Sequence, residues 1–399
     1  MPDVKPEILR WARETAGLSL GRAATAVGIK DTKDARAVDR LAALEEGDAA
    51  PSRALIVKMA EKYRRPLLAF YLDAPPRKGD RGQDFRSIPD RQTDSEALVD
   101  ALLRDVRARQ DAIRNLLLED EDNQPLPFIG SMKTSVGVGN VLASIKDVLK
   151  IDLVSYRRQA TPEKAFAYLR SEAEANGLFV LLLGNLGSHH TAIDVEAFRG
   201  FALADPIAPF VVINDQDSVA AWSFTLLHEL AHLWLGQSGV SGRSPDLQIE
   251  QFCNDVAASF LLPSQELPSI GVSLRTNTEA AVELINKFSS ENKLSSTMVA
   301  YRLYRASLLS KENWQTLTGL FLASWRKGRD ARREREKDKD GPNYYVVRRH
   351  RLGNALIHTV GRALESGALT PTRAGNILGV KPRSVAPLLS PILSGSNAV

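Results

Sequence analysis

The stretch Ser223-Phe224-Thr225-Leu226-Leu227-His228-Glu229-Leu230-Ala231-His232-Leu233-Trp234-Leu235-Gly236 is an apolar run broken by two histidines and one glutamate. The density of Leu, Phe and Trp reads as a buried helix, with Gly236 as its stop. On a helix, residues four apart lie one turn above each other, so His228 and His232 present imidazoles to one metal ion from a single face. Glu229 sits one step round the helix. From there it reaches a water beside the metal, the placement of a general base that prepares water for attack on a carbonyl. Imidazoles and a carboxylate in so apolar a run are costly unless paired or metal-bound. Three protein ligands and one open position suit zinc, which makes Zn2+ the expected cofactor.

The third ligand is expected from the next helical pattern, Ile249 to Leu262, which Pro263 ends. Ile249, Phe252, Cys253, Val256 and Phe260 recur at helical spacing, and Glu250 and Asn254 share another face. Glu250 is therefore expected as ligand, with Asn254 orienting a metal-binding group, whereas Asp255 turns elsewhere.

These two segments resemble the metal-site helices of the ImmA/IrrE family of metallopeptidases, in the pattern H-E-L-A-H-L-W-L-G followed by E-x-F-C-N-x-V-A-A-x-F-L-x-P. The resemblance implies zinc bound by His228, His232 and Glu250, Glu229 as base, and a zincin-like α+β core. It implies a protein substrate, typically a DNA-binding repressor in stress or mobile-element control. Larger members of the family begin with a Cro/C1-type helix-turn-helix.

Residues 1–72 read as such a domain. A helix from Pro6 to Ala16 closes at Gly17, and a second is capped by Ser19 and ended at Gly28. Gly17-Leu18-Ser19, Ala23-Ala24 and Gly28-Ile29 resemble the first half of a helix-turn-helix. The second half departs from the pattern. Lys30 to Gly47 is longer than usual and carries Asp31, Asp34 and Asp39, which repel phosphates and offset Lys33, Arg36 and Arg40, the candidate DNA contacts. Duplex DNA is thus one expected partner of this domain, and docking of a protein the other. Ser52 to Tyr63 and Pro66 to Leu72 complete the helical set.

Residues 73–93 form a linker, with a Pro/Gly/charge-rich stretch at Ala74 to Gly82 and an entry segment at Asp84 to Ser87 that resembles the family's. Residues 94–325 are expected as the peptidase domain. It opens with a long amphipathic helix from Asp94 to Leu118, followed by helices at Ser144–Leu149 and Thr161–Asn176. The β-rich runs Phe179–Leu183 and Pro209–Asn214, with Phe198–Leu203 between them, predict a small mixed sheet, with Gly200–Leu203 as an exposed edge for a substrate strand. His189 and His190, adjacent in a Gly/Ser/Asn-rich loop, read as a solvated pair. A helix from Leu294 to Leu309 carries Arg302, a candidate for stabilising an oxyanion. Residues 326–399 read as a charged linker and a helical C-terminal region, where Thr370 to Val385 has helix-turn-helix spacing.

Composition is consistent with this division. The 399 residues are 44% hydrophobic and 25% charged, as in globular proteins with two or three domains, and the net charge of +4 alone does not imply nucleic-acid binding. No apolar run spans a membrane, and the start lacks a signal-peptide pattern, which leads to an expected cytoplasmic location without membrane partners. The single cysteine, Cys253, excludes an internal disulfide and a thiolate cluster, and is expected in the core. The overall expectation is a mostly helical α+β protein acting as a zinc endopeptidase. The alternative is a DNA-binding regulator or antitoxin-like protein whose metal site is structural or sensory, although a purely structural site has no need of Glu229.

Overall fold

Pro6 at the first position of its helix, Ser19 as a cap and glycines at left-handed positions set the lengths of the first helices. In the computed structural model, which describes residues 4–76, 94–120, 123–187, 191–240, 247–274, 276–336 and 343–393, they appear as α1 (Pro6–Glu14), α2 (Leu20–Val27), α3 (Ala37–Glu46) and α4 (Arg53–Lys62), followed by a 3₁₀ turn at Leu67–Tyr71. The Ser19 side chain accepts from Arg22 N, and Gly28 and Gly47 end their helices at φ 77° and 91°. Leu9, Val27, Leu41, Met59, Tyr63 and Phe70 fill the core. Buried Arg13 of α1 donates to both carboxylate oxygens of Glu45 in α3, at 2.7 and 2.8 Å.

The chain folds as two compact units, residues 1–106 with 185–197, and residues 107–184 with 198–399. The helix α5 (Asp94–Leu118), which has the bounds its periodicity predicts, crosses this division. Its second half is fixed in the larger unit by Gln110, which donates to the carbonyls of Leu203 and Ala208 at 3.1 and 2.7 Å, and by Arg114, paired with Asp205 at 3.1 Å.

The larger unit continues with α6 (Val138–Leu149), α7 (Leu153–Arg157) and α8 (Pro162–Ala175), then a mixed sheet of β1 (Phe179–Leu182), β2 (Gly200–Leu203), β3 (Phe210–Ile213) and a two-residue β4 (Gly239–Val240). Strand order is β1-β3-β2-β4. β1 runs parallel to β3, with Val180 opposite Val211, and β2 runs antiparallel to β3, with Phe201 opposite Val212. All three longer strands are buried throughout, which explains their continuous rather than alternating apolar sequence. Between β3 and β4 lies α9 (Val219–Trp234), which packs on α8, on the sheet and on α10 (Leu247–Leu261). Gly200–Leu203 is not the open edge that its sequence suggested. Residues 239 and 240 return to pair with Ala202 and Phe201, making β2 an inner strand and leaving β1 and β4 as the edges among the described residues. Two residues are too few to show a strand periodicity.

Beyond α10 come α11 (Thr278–Asn292), α12 (Ser296–Arg305), the long α13 (Lys311–Glu336), α14 (Tyr344–Leu352), α15 (Asn354–Glu365), α16 (Pro371–Leu378) and α17 (Val385–Leu393). The charged segment from residue 326 continues α13 as far as residue 336. The C-terminal helices are joined to α8 and β1 by a buried arginine. Arg170 pairs with Glu174 at 3.2 Å and donates to the carbonyls of Val180 and His350, while Glu174 accepts from Asn354 N at 3.0 Å. In Thr370 to Val385, Thr370 caps α16 and Gly379 turns the chain at φ 62°, but Leu388 and Leu389 of the following helix are buried, so this piece packs inward. His189, His190 and Asp84 to Ser87 lie outside the described residues.

Candidate metal centre

Helix α9 is buried almost all round because it lies between the sheet, α8 and α10, which is why its sequence is apolar on every face. His228 and His232 project from one side of it and Glu250, in the first turn of α10, meets them. His228 Nε2 lies 3.0 Å from His232 Nε2, and the Glu250 carboxylate lies 3.5 Å from the first and 3.3 Å from the second. Ligands at zinc distances of about 2.0–2.1 Å, placed at tetrahedral corners, are about 3.3 Å apart. The three side chains therefore already stand at the mutual spacing of a tetrahedral zinc site, and among the described residues they form the one group of three such donors close enough to share an ion.

The electrostatics agree with that fit. Burial opposes charging His232, but contact with Cys253 and Glu250 and the nearby charge of Glu229 outweigh it and push its pKa up to about 11. Burial likewise favours a protonated Glu250, yet hydrogen bonds to His228 and His232 outweigh it and hold the carboxyl far below the usual carboxylate range. His232 and the Glu250 carboxylate thus each favour the charged form of the other. Cys253 is fully buried, as expected of a core residue, and burial pushes its thiol up, so it contacts His232 as a thiol.

Glu229 is fully buried one residue after the first histidine, and it shares a cavity of about 360 Å³ with His228, Glu250 and Asn254. Under its carboxylate runs β2. A Cβ at Gly200 would lie 2.8 Å from Glu229 Oε1, 2.5 Å from Thr225 Cγ2 and 3.1 Å from the Val212 carbonyl, so the Glu229 carboxylate is seated directly against a backbone without a side chain.

Asn254, expected beside the metal, lines this cavity. Asp255 does turn away: it accepts from Arg305 at 2.7 Å and from the Tyr301 hydroxyl at 3.0 Å. Arg302 is placed differently from its expected role. Its guanidinium donates to the Leu262 carbonyl at 3.1 Å and to Ser264 Oγ at 2.9 Å, holding the end of α10 rather than lining the cavity. The cation on the cavity wall is Arg199, next to Gly200 and paired with Asp217 at 3.1 Å. Sequence reading also missed α13, whose Trp314, Thr318 and Leu322 form part of the wall. The signal was the spacing of Trp314, Leu317 and Phe321, an apolar face at helical period. In the smaller unit Arg36 pairs with Asp39 at 2.9 and 3.0 Å and Arg40 donates to the Lys30 carbonyl at 2.8 Å, while Lys33 is exposed.

Residues 185–304 match the family model of a peptidase domain, the IrrE N-terminal-like domain. This segment, under a third of the chain, contains α9, α10 and all three metal-site residues, and it ends before α13. The match supports kinship with the ImmA/IrrE metallopeptidases and a zincin-like domain that uses a metal ion. No curated protein and no solved structure matched the chain.

Proposed function

We propose that the protein is a zinc-dependent endopeptidase that cleaves another protein. The observation that carries this reading is the placement of Glu229 beside a histidine, histidine, glutamate set at tetrahedral spacing, within a domain that matches a peptidase family. His228, His232 and Glu250 would hold the zinc ion, which supplies Lewis acidity to polarise the scissile carbonyl and acidify water. Glu229 takes a proton from the attacking water and returns it to the departing nitrogen, which must be protonated to leave as an amine. Its burial keeps competing solvent away from the carboxylate. Asn254, one turn from Glu250, lies where it can steady the bound peptide or the metal-binding carboxylate.

The kinship supports a transcriptional repressor as substrate, in stress or mobile-element regulation, and a cytoplasmic setting. No described helix is long and apolar enough to cross a membrane. The first four helices we read as a helix-turn-helix domain that serves substrate docking more than DNA. Arg36 and Arg40 are engaged within the domain, and the Asp31 carboxylate accepts from Ala37 N at 2.6 Å, placing negative charge at the N-terminus of α3, where a phosphate would otherwise bind. Duplex binding through Lys33, Arg36 and Arg40 is accordingly weak and steeply salt-dependent on this reading.

Incubating the zinc-loaded chain with an unfolded protein tests the enzymatic reading. Fragments with new termini, abolished by a chelator and restored by zinc, are expected. Loss of intact substrate that continues at the same rate after metal removal would contradict it.

A further inference from the structure

The cavity that opens from the metal centre is asymmetric in its chemistry. Besides His228, Glu229 and Glu250 at one end, and the small polar Ser295 and Thr297, it is lined by Phe224, Met298, Tyr301, Trp314, Thr318 and Leu322. Three of those six belong to α13, beyond the segment that matches the peptidase family. This part of the wall is held in place by aromatic packing, with Trp314 stacked on Tyr304 at 4.7 Å between centroids and edge-on to Tyr301 at 6.3 Å. Tyr301 is itself fixed by its hydrogen bond to Asp255. Apart from Glu250 and Glu229, Arg199 is the one charged residue lining the cavity among the described residues, and Asp217 already balances it.

We infer that α13 turns this cavity into a specificity pocket for a large aliphatic or aromatic side chain of the substrate, next to the bond that is cut. The inference rests on the peptidase reading and names what that peptidase selects. Against Phe224, Met298, Trp314 and Leu322 a charged side chain would lose its hydration without an opposite charge in that part of the wall, whereas an apolar one exchanges water for favourable contact. The volume of about 360 Å³ lies in the range of sites that enclose a small ligand, so a bulky residue and its peptide group fit while leaving the metal face open. A second observation points to a peptide as occupant. Thr318 Oγ1, on this wall, is buried and has no hydrogen-bond partner among the described residues, and the N–H or C=O of a bound peptide supplies one.

The test uses the full zinc-loaded chain and internally quenched peptides in which each position is varied through aliphatic, aromatic, acidic and basic residues, with products identified by mass spectrometry. One position adjoining the scissile bond should require a large apolar residue, and Ala there should lower kcat/KM by about 10- to 100-fold. Leu322→Arg, on the half-buried face of α13, places a cation in the wall and should make Asp or Glu acceptable at that same position. Trp314→Leu enlarges the pocket and should shift preference toward the largest aromatic side chains. Fluorescence anisotropy of labelled peptides bound to the zinc-loaded Glu229→Gln protein should rank them in the same order without turnover. Circular dichroism and zinc content check each variant. Cleavage with no side-chain preference, or a preference unmoved by both α13 variants, overturns the pocket and leaves the peptidase reading standing. A zinc-loaded protein that neither binds nor cleaves any of the peptides overturns the peptidase reading, and the pocket with it.

Discussion

Replacing Gly200 by alanine adds one methyl group directly beneath the proposed base. The new Cβ would stand 2.5 Å from Thr225 Cγ2 and 2.8 Å from Glu229 Oε1, while the optimal carbon separation is about 3.5–4.0 Å, so the threonine methyl must retreat by roughly 1 Å and the carboxylate by nearly as much. The Val212 carbonyl at 3.1 Å belongs to the neighbouring strand and cannot yield without breaking the sheet. Overpacking of this kind costs roughly 1–3 kcal/mol, which lowers the melting temperature of a unit this large by several degrees. A displacement of about 1 Å in a catalytic group costs on the order of 100-fold in rate. The variant should therefore keep its zinc, since His228, His232 and Glu250 are not among the atoms struck, and lose about 100-fold in kcat with little change in KM. Calorimetry, elemental analysis and steady-state kinetics on one peptide measure all three. Wild-type kcat and melting temperature together in Gly200→Ala would refute the placement of Glu229 against β2.

His228→Ala should bring zinc well below one equivalent per chain, and Glu250→Gln should weaken zinc binding, because two remaining ligands seldom hold the ion tightly; elemental analysis after dialysis decides. The pKa of His232 is raised to about 11 in the metal-free cluster, so the proton there is fully present at neutral pH and zinc must displace it. Zinc affinity should consequently rise with pH from about 6 to about 9, with proton release visible as a dependence of the calorimetric heat on buffer ionisation; affinity flat over that range would contradict a charged His232 in the metal-free cluster. Arg13→Ala strands the Glu45 carboxylate, which is buried, and should destabilise the first helical unit by about 3–5 kcal/mol while leaving zinc content unchanged. Chemical denaturation followed by far-ultraviolet circular dichroism should show this as an earlier first transition.

What the sequence made legible depended on length and period. Helices with a cap residue and a regular apolar face, such as those from Ser19 to Gly28, Asp94 to Leu118 and Thr161 to Asn176, appear close to their expected bounds. The proximity of His228 and His232 was readable because i, i+4 spacing fixes a common face before any tertiary structure is known, and the approach of Glu250 followed from the next apolar helix. Three features were hidden. β4 has too few residues to show a period, so the status of β2 as an inner strand was out of reach. The position of Arg302 depends on where the Leu262 carbonyl ends α10, a tertiary contact 40 residues away. The cavity wall contributed by α13 joins Trp314 to residues of α9 and α12, and its spacing announces a buried face without saying what that face meets.

On the proposed mechanism Glu229 moves protons while His228, His232 and Glu250 hold the ion. Glu229→Gln separates the two, since the amide keeps the shape of the side chain but cannot accept the proton of water. Zinc content and peptide cleavage measured on the same preparation of this variant test the division of roles most directly. About one zinc per chain, a normal fold and cleavage reduced by at least roughly 100-fold are the predicted results. Zinc lost as in the Glu250→Gln protein, or cleavage at the wild-type rate, would contradict it.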